Sequence, residues 1–348
     1  MATFLPWQVP DAQRLLSDQA HLPHALLING MAGTGKRQFA LALAATLLCE
    51  DKQQGLACGK CQGCTWVAAS THPDLKLVRP EAVAVREGAA MAEEDASSGS
   101  AESGSTAKRK PSEELRIEQI RALEPWYHQA THRGGWRVVV LYPAEALSVV
   151  SANALLKALE EPPANTLFLL ASDAPDRLLP TLVSRCQKFA LALPDKAQCI
   201  DWLKQQAVDD PENWLAAAGG APLAALDLAH SGQPACPSWA RELVSGLGKG
   251  ALVDLPGLAD NLAKGPASAW LKVLQRLCVD VSLVAAKLPA RYFPGLSAAY
   301  ADAVGTTELE KLTELTAWVD QQARLANHPL SPKLFAQQCL QRFCDVLR

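Results

Sequence analysis

The run Gly30-Met31-Ala32-Gly33-Thr34-Gly35-Lys36-Arg37 constrains this chain more than any other stretch. It nearly matches the phosphate-loop pattern: a glycine, four free positions, a second glycine, a lysine and a hydroxyl residue. Backbone N–H groups must wrap phosphate oxygens, which glycines permit, and a helix N-terminus must follow to supply a favourable dipole. The context agrees. Residues 25–29 (ALLIN) read as a strand running into the loop, and Ala40, Leu43, Ala44, Leu47 and Leu48 recur at helical spacing after it. Gly30, Gly33, Gly35 and Lys36 are therefore the candidate nucleotide-binding residues, with Lys36 aimed at the β- and γ-phosphates. The hydroxyl position fails, because Arg37 stands where Ser or Thr would hold Mg²⁺. That weakens metal-supported nucleotide binding without excluding binding.

Further strands are expected at 75–78 (LKLV), 137–141 (RVVVL), 167–171 (LFLLA) and 187–191 (QKFAL). Helices are expected around 115–130 and 148–160, the latter ended by Pro162-Pro163, which cannot continue it. Strands alternating with helices imply an α/β fold with a doubly wound, mostly parallel sheet. Residues 86–114 are rich in Gly, Ser, Ala and charge and read as a disordered insertion. The basic run 108–110 within it is a solvated loop end or a nucleic-acid contact. After Pro194 the pattern is helical throughout, with 231–237 (SGQPACP) as a linker. A length of 348 residues admits two or three domains at roughly 150 residues each. The expected division is a core at 1–193, a small helical lid at 194–235 and an all-α domain at 236–348.

The net charge of −3 excludes a global basic field, so any nucleic-acid contact is local or shared with partners. No apolar run approaches the ~20 residues of a membrane span. The first residues lack a basic region followed by an apolar core, so the expected location is cytoplasmic, with no membrane partner. Ten cysteines are present, and four of them, Cys49, Cys58, Cys61 and Cys64, form C-x8-C-x2-C-x2-C. Such thiols in one turn suit a closed tetrahedral structural zinc site; an iron–sulfur cluster is the alternative for the same donors. His72 follows closely, but the run THPD reads as a turn into the next strand rather than as a further ligand. Lys60 and Trp66 are the basic and aromatic residues beside the cysteines.

A second part of a phosphoryl-transfer site fails more plainly. Enzymes of this kind end an apolar strand in Asp-Glu, which secures Mg²⁺ and orients the attacking water. Here RVVVL ends in Tyr142-Pro143-Ala144-Glu145. Tyr142 and Pro143 take the places of both acids, and Glu145 comes too late in register to replace either. It reads as a surface carboxylate at a helix start. Little or no intrinsic ATP hydrolysis is expected, and ATP or ADP at this site is doubtful. No acid pair for nucleotidyl transfer is apparent, so a polymerase label would belong to a larger assembly.

Residues 138–189, ending in LVSRCQKF, resemble bacterial clamp-loader subunits of the delta-prime and gamma/tau family over about fifty residues. LPHALLINGMAGTGK, THPDLKLV and LRIEQIRAL resemble the same family's N-terminal module, and NHPLSPKLF (327–335) resembles its C-terminal collar signature. The resemblance implies an AAA+ core, a lid and a helical collar. It implies that Ser184-Arg185-Cys186 is the family's SRC motif, with Arg185 an arginine finger projected into a neighbouring subunit's ATP site. The departures at Arg37, Tyr142 and Pro143, with Leu223 where an active member carries a nucleotide-sensing Arg, resemble the delta-prime type. The cysteine module occurs in both types and does not separate them. The implied assembly is a five-subunit ring with gamma/tau-type motors and a delta subunit. That ring, part of the DNA polymerase III holoenzyme, loads a sliding clamp on primed DNA. Asn153 and Lys157 lie on the helix that would face DNA there. Two other readings stay open: an active AAA+ motor, of gamma type or a helicase loader, and a zinc-dependent DNA-binding scaffold.

Overall fold

The computed structural model describes residues 2–88, 111–305, 307–326 and 331–347. Of the expected disordered insertion at 86–114, residues 89–110 lie outside the described residues, as do 327–330 of the collar signature; its two ends are ordered instead, with Arg86 closing a helix and the Ser112 amide donating to Glu81 at 3.1 Å. The chain divides into two compact units, Met1–Asp195 and Lys196–Arg348. No helix among the described residues is long and apolar enough to cross a membrane.

The first unit is built on five parallel strands: β1 (Ala25–Asn29), β2 (Leu75–Val78), β3 (Arg137–Leu141), β4 (Thr166–Ser172) and β5 (Gln187–Ala190). Their order is β2-β3-β4-β1-β5. Parallel neighbours need helical crossovers, so both faces are covered and the central strands are apolar at nearly every position. The two-residue period sorts them. Leu26, Ile28, Val138, Val140, Leu167 and Leu169 face one layer; Ala25, Leu27, Val139, Leu141, Phe168 and Leu170 face the other. The edge strands carry Lys76 and Lys188 on exposed positions, which discourages further pairing.

The helices of this unit are α1 (Val9–Leu16), α2 (Lys36–Leu47), α3 (Gln62–Ala68), α4 (Glu81–Arg86), α5 (Ile117–Arg121), α6 (Leu123–Tyr127), α7 (Val149–Glu160) and α8 (Pro180–Val183). α2 covers the first layer with Phe39, Ala40, Leu43 and Ala44. α7 covers the second with Leu155 and Leu159. Ser148 caps α7 by accepting the Ser151 amide at 3.2 Å. The single helix expected at 115–130 is two short ones, α5 and α6. Pro125 explains the break, because it has no N–H to donate to the Arg121 carbonyl.

All described elements of the second unit are helical: α9 (Lys196–Gln205), α10 (Pro211–Ala217), α11 (Pro222–His230), α12 (Ser238–Gly248), α13 (Leu255–Leu262), α14 (Ala267–Ala285), α15 (Ser297–Val304), α16 (Leu309–Arg324) and α17 (Pro332–Leu347). Leu243, Leu274, Leu277, Tyr300, Leu315, Val319 and Phe343 share one core. Within it lies a carboxylate. Asp280 is fully buried and accepts the amides of Arg291 (2.8 Å), Tyr292 (2.9 Å) and Phe293 (2.7 Å). The Tyr300 hydroxyl also donates to it at 3.3 Å. Burial, and then the Asp280 charge, push the Tyr300 phenol far above its ordinary value.

Candidate functional site

Parallel strands bring the ends of β1, β3 and β4 to one edge of the sheet, where ligands of such sheets bind. The loop leaving β1 needs its glycines. Gly30 has φ +148°, and a Cβ there would meet the Leu191 carbonyl oxygen at 3.0 Å. Gly35 is left-handed, φ 94°, and starts α2. Lys36 is only 4% exposed. Its ammonium donates to the carbonyls of Gly30 (2.9 Å) and Met31 (2.6 Å) and pairs with Asp173 Oδ1 at 2.6 Å, just past β4. Three protons meet three acceptors, so Lys36 is saturated within the chain. The outer side of the loop is tied as well. Buried Gln8 donates to the Gly35 carbonyl at 2.8 Å, and the Trp7 indole donates to the Thr34 carbonyl at 3.2 Å.

The metal-holding positions are filled by cations and a phenol. Tyr142, at the end of β3, is 4% exposed. Its hydroxyl donates to Glu87 Oε2 at 2.8 Å and accepts from Arg79 Nη1 at 2.8 Å. Arg37 Nε lies 2.9 Å from Glu87 Oε1, and its guanidinium carbon is 5.2 Å from the Tyr142 ring centroid. Arg79 also pairs with Glu87. Burial raises the Tyr142 phenol above its ordinary value, against the pull of Arg37 and Arg79. Two guanidiniums sharing one carboxylate leave net positive charge where a divalent cation would need acids. Glu145 differs from its expected surface position. It lies in a 3-10 turn, but its carboxylate is half-buried and accepts the Asp173 amide at 3.2 Å.

The cysteine module runs from the end of α2 into the first turn of α3, with Cys61 as the cap of α3 and Cys64 inside it. The four Sγ atoms of Cys49, Cys58, Cys61 and Cys64 are all within 4.8 Å of one another. The Cys49–Cys61 and Cys58–Cys64 separations are 3.8 and 4.0 Å. A tetrahedron with metal–sulfur bonds of ~2.3 Å has edges of about 3.8 Å, so the donors fit zinc. Backbone amides already point at the sulfurs: Cys58 to Cys49 and Cys61 to Cys58, each at 3.3 Å, and Cys64 to Cys61 at 3.4 Å. Burial opposes ionisation of Cys61, yet the hydrogen bonds to its sulfur, the Cys64 amide foremost, outweigh it and bring that thiol down to about 6, whereas burial pushes the Cys49 and Cys64 thiols up. A Cβ on Gly63 would sit 2.5 Å from the Leu48 carbonyl oxygen, so only glycine lets α3 approach α2 this closely. His72 is not among the donors. Its Nδ1 accepts the Asp74 amide at 3.0 Å, and its ring meets Trp66 edge-on, centroids 5.7 Å apart. Arg133 stacks over Trp66 at 5.2 Å and pairs with Glu50 at 3.3 Å, which ties the module to the turn before β3.

Ser184, Arg185 and Cys186 lie between α8 and β5. Ser184 Oγ donates to the Thr181 carbonyl at 2.9 Å. Cys186 is core, its thiol pushed by burial to about 11. Arg185 Nη1 donates to the Thr181 carbonyl at 2.8 Å, and Nη2 pairs with Glu160 at the end of α7. The register pairs Leu26 with Gln187, so Arg185 stands beside the start of β1, whereas Lys36 follows its end. At ~3.3 Å per residue the length of the strand separates them, and Arg185 does not serve this chain's own loop.

Residues 11–195 match the family described as DNA polymerase III, delta subunit. A DNA polymerase III subunit delta' of Yersinia pestis is 36% identical over 267 residues, covering 74% of this chain and 69% of that protein. The chain belongs to the DNA polymerase III delta-prime family. The subunit delta' of Pseudomonas aeruginosa is 39% identical over 67% of this chain, and that of Escherichia coli 34% over 64%. These two matches span 63% and 60% of the relatives' own lengths.

Against that family background, other expected residues stand as follows. Asn153 and Lys157 share the exposed face of α7, and Lys157 pairs with Glu124 at 3.2 Å. The Glu124 hydrogen bond raises the lysine above its ordinary value. Leu223 is half-buried in α11, and 108–110 lie outside the described residues. The sequence reading missed Gln8, Arg79, Glu87, Asp173 and Glu160, which complete these delta-prime sites from distant segments. Glu87 fell inside the segment 86–114 expected to be disordered, yet it pairs with Arg37 and Arg79.

Proposed function

We propose that this chain is a non-hydrolysing delta-prime-type subunit of a bacterial replicative clamp loader. The observation that supports the reading most is the saturation of Lys36 by Gly30, Met31 and Asp173, beside a metal position taken by Arg37, Arg79 and Tyr142. Phosphoryl transfer depends on charge neutralisation and positioning, and here Arg37 stands at the hydroxyl position, Tyr142 and Pro143 stand at the strand-end acid positions, and the loop lysine is already paired. The subunit's contribution is then to its neighbours. Arg185 acts in trans as an arginine finger on a gamma/tau-type motor, offsetting charge that grows on the transferred group, a role typically worth ~10³–10⁵ in rate. Residues 194–235 act as the lid and 236–348 as the collar that joins the ring with motor and delta subunits. The assembled ring, in the cytoplasm, opens the sliding clamp and sets it on primed DNA. Zinc held by Cys49, Cys58, Cys61 and Cys64 is structural, because four protein ligands leave no open position for substrate.

The test is ATP turnover by the purified chain with Mg²⁺ and primed DNA. Background turnover is expected. Robust turnover abolished by Lys36→Ala would show that Asp173 releases Lys36 and that the chain is itself a motor.

A further inference from the structure

We infer that Glu160 is the positioning residue for Arg185. The inference rests on the in-trans role proposed above. Glu160 is the last residue of α7, and Glu161 follows it. Two carboxylates therefore sit where the helix dipole is negative and acids are disfavoured. Arg185 answers that charge: its Nη2 pairs with Glu160, while Nη1 donates to the Thr181 carbonyl at 2.8 Å. The two anchors come from different elements, the end of α7 and the body of α8. Together they fix the plane of the guanidinium and leave the rest of its five-donor fork for a phosphoryl group.

The side chain of Arg185 is one-third exposed, at 34%, so without such anchors it would spread over many rotamers. An arginine finger works by being in place before charge develops, and each misplaced conformer subtracts from the rate. Glu160 thus acts through Arg185 and touches no substrate itself. Half of the Glu160 side chain is in solvent, at 49% exposure, and the Thr181 carbonyl remains if it is removed, so the effect is moderate rather than total.

The experiment uses the full cognate loader, reconstituted with delta and with motor subunits of which only the one facing Arg185 keeps a working loop, and assayed for clamp- and DNA-stimulated ATP turnover. Glu160→Ala should lower kcat about fivefold, with KM for ATP and ring assembly by sedimentation unchanged. At 1.36 kcal/mol per tenfold this is about 1 kcal/mol, the size of an exposed ion pair. Glu160→Gln keeps an acceptor oxygen and should recover part of the loss. In an Arg185→Ala background, adding Glu160→Ala should change nothing further. An unchanged kcat for Glu160→Ala, a raised one as a restraining latch would give, or an additional loss in the Arg185→Ala background overturns the inference. If Arg185→Ala alone leaves turnover intact, the finger reading itself fails, and Glu160 with it.

Discussion

A lysine ammonium has three protons, and Lys36 spends all of them on Gly30, Met31 and Asp173. The glycines and Lys36 were legible in the sequence because a phosphate loop is a local pattern. Its occupants were not, because they arrive through the fold. Tyr142 meets Arg79 across 63 positions and Glu87 across 55, and no spacing rule reaches that far. Asp280 teaches the same lesson in the helical unit, where it is a buried acid inside an apolar helix. Its carboxylate gathers the consecutive amides of Arg291, Tyr292 and Phe293, so it holds the turn that follows α14. Asp280→Asn keeps the shape but offers one acceptor oxygen, setting an NH₂ group against an N–H on the other side. The cost should be about 2–4 kcal/mol, from unsatisfied buried donors. Denaturant unfolding of the full chain should show it as an earlier transition of helical signal. A shift under about 0.5 kcal/mol would mean that packing alone holds the turn.

Elements were more readable than contacts. β1, β3 and β4 are apolar runs because each is buried on both faces, and their bounds fall within a residue or two of expectation. The break at Ala122 was missed, although Pro125, which lacks the N–H for the Arg121 carbonyl, marks it. The cysteine module was legible from spacing, but its attachment was not. Trp66, His72 and Arg133 join α3 to segments preceding β2 and β3, so loss of the metal should loosen those strand starts as well. The purified chain should carry one zinc per chain by elemental analysis and no iron. Stripping the metal, or changing Cys61 and Cys64 to Ser, should lower folding yield and thermal stability and raise amide exchange in 49–74 first. Apparent metal contributions of ~10–16 kcal/mol in zinc-finger peptides make the effect large even if part is lost to residual structure. Full stability of metal-free protein would show that the thiols and their N–H partners suffice. Iron with a visible chromophore would point to the cluster instead.

At the scale of the whole chain, the glycine-rich loop and the proposed finger lie at opposite ends of the strands of one sheet. The loop with Lys36 follows the ends of the strands, and Arg185 precedes the start of β5. A molecule so arranged can give a finger to one neighbour without hydrolysing anything itself, and the two ends should respond differently to mutation in the assembled loader. Tyr142→Phe keeps the ring under Arg37 but removes the hydroxyl between Arg79 and Glu87. The loss should cost about 1 kcal/mol of stability, while clamp- and DNA-stimulated ATP turnover of the ring stays within about twofold of the parent. Arg185→Ala, with a comparably small effect on stability, should reduce the turnover contributed by the adjacent motor by roughly 10³-fold, the low end for an arginine finger. With several motors in the ring, the total would fall by that one motor's share, so the measurement should be made with the other motors carrying inactive loops. If Tyr142→Phe depressed turnover as strongly as Arg185→Ala, the Arg37–Glu87 cluster would be part of a working site. The asymmetry between the two ends would then be wrong.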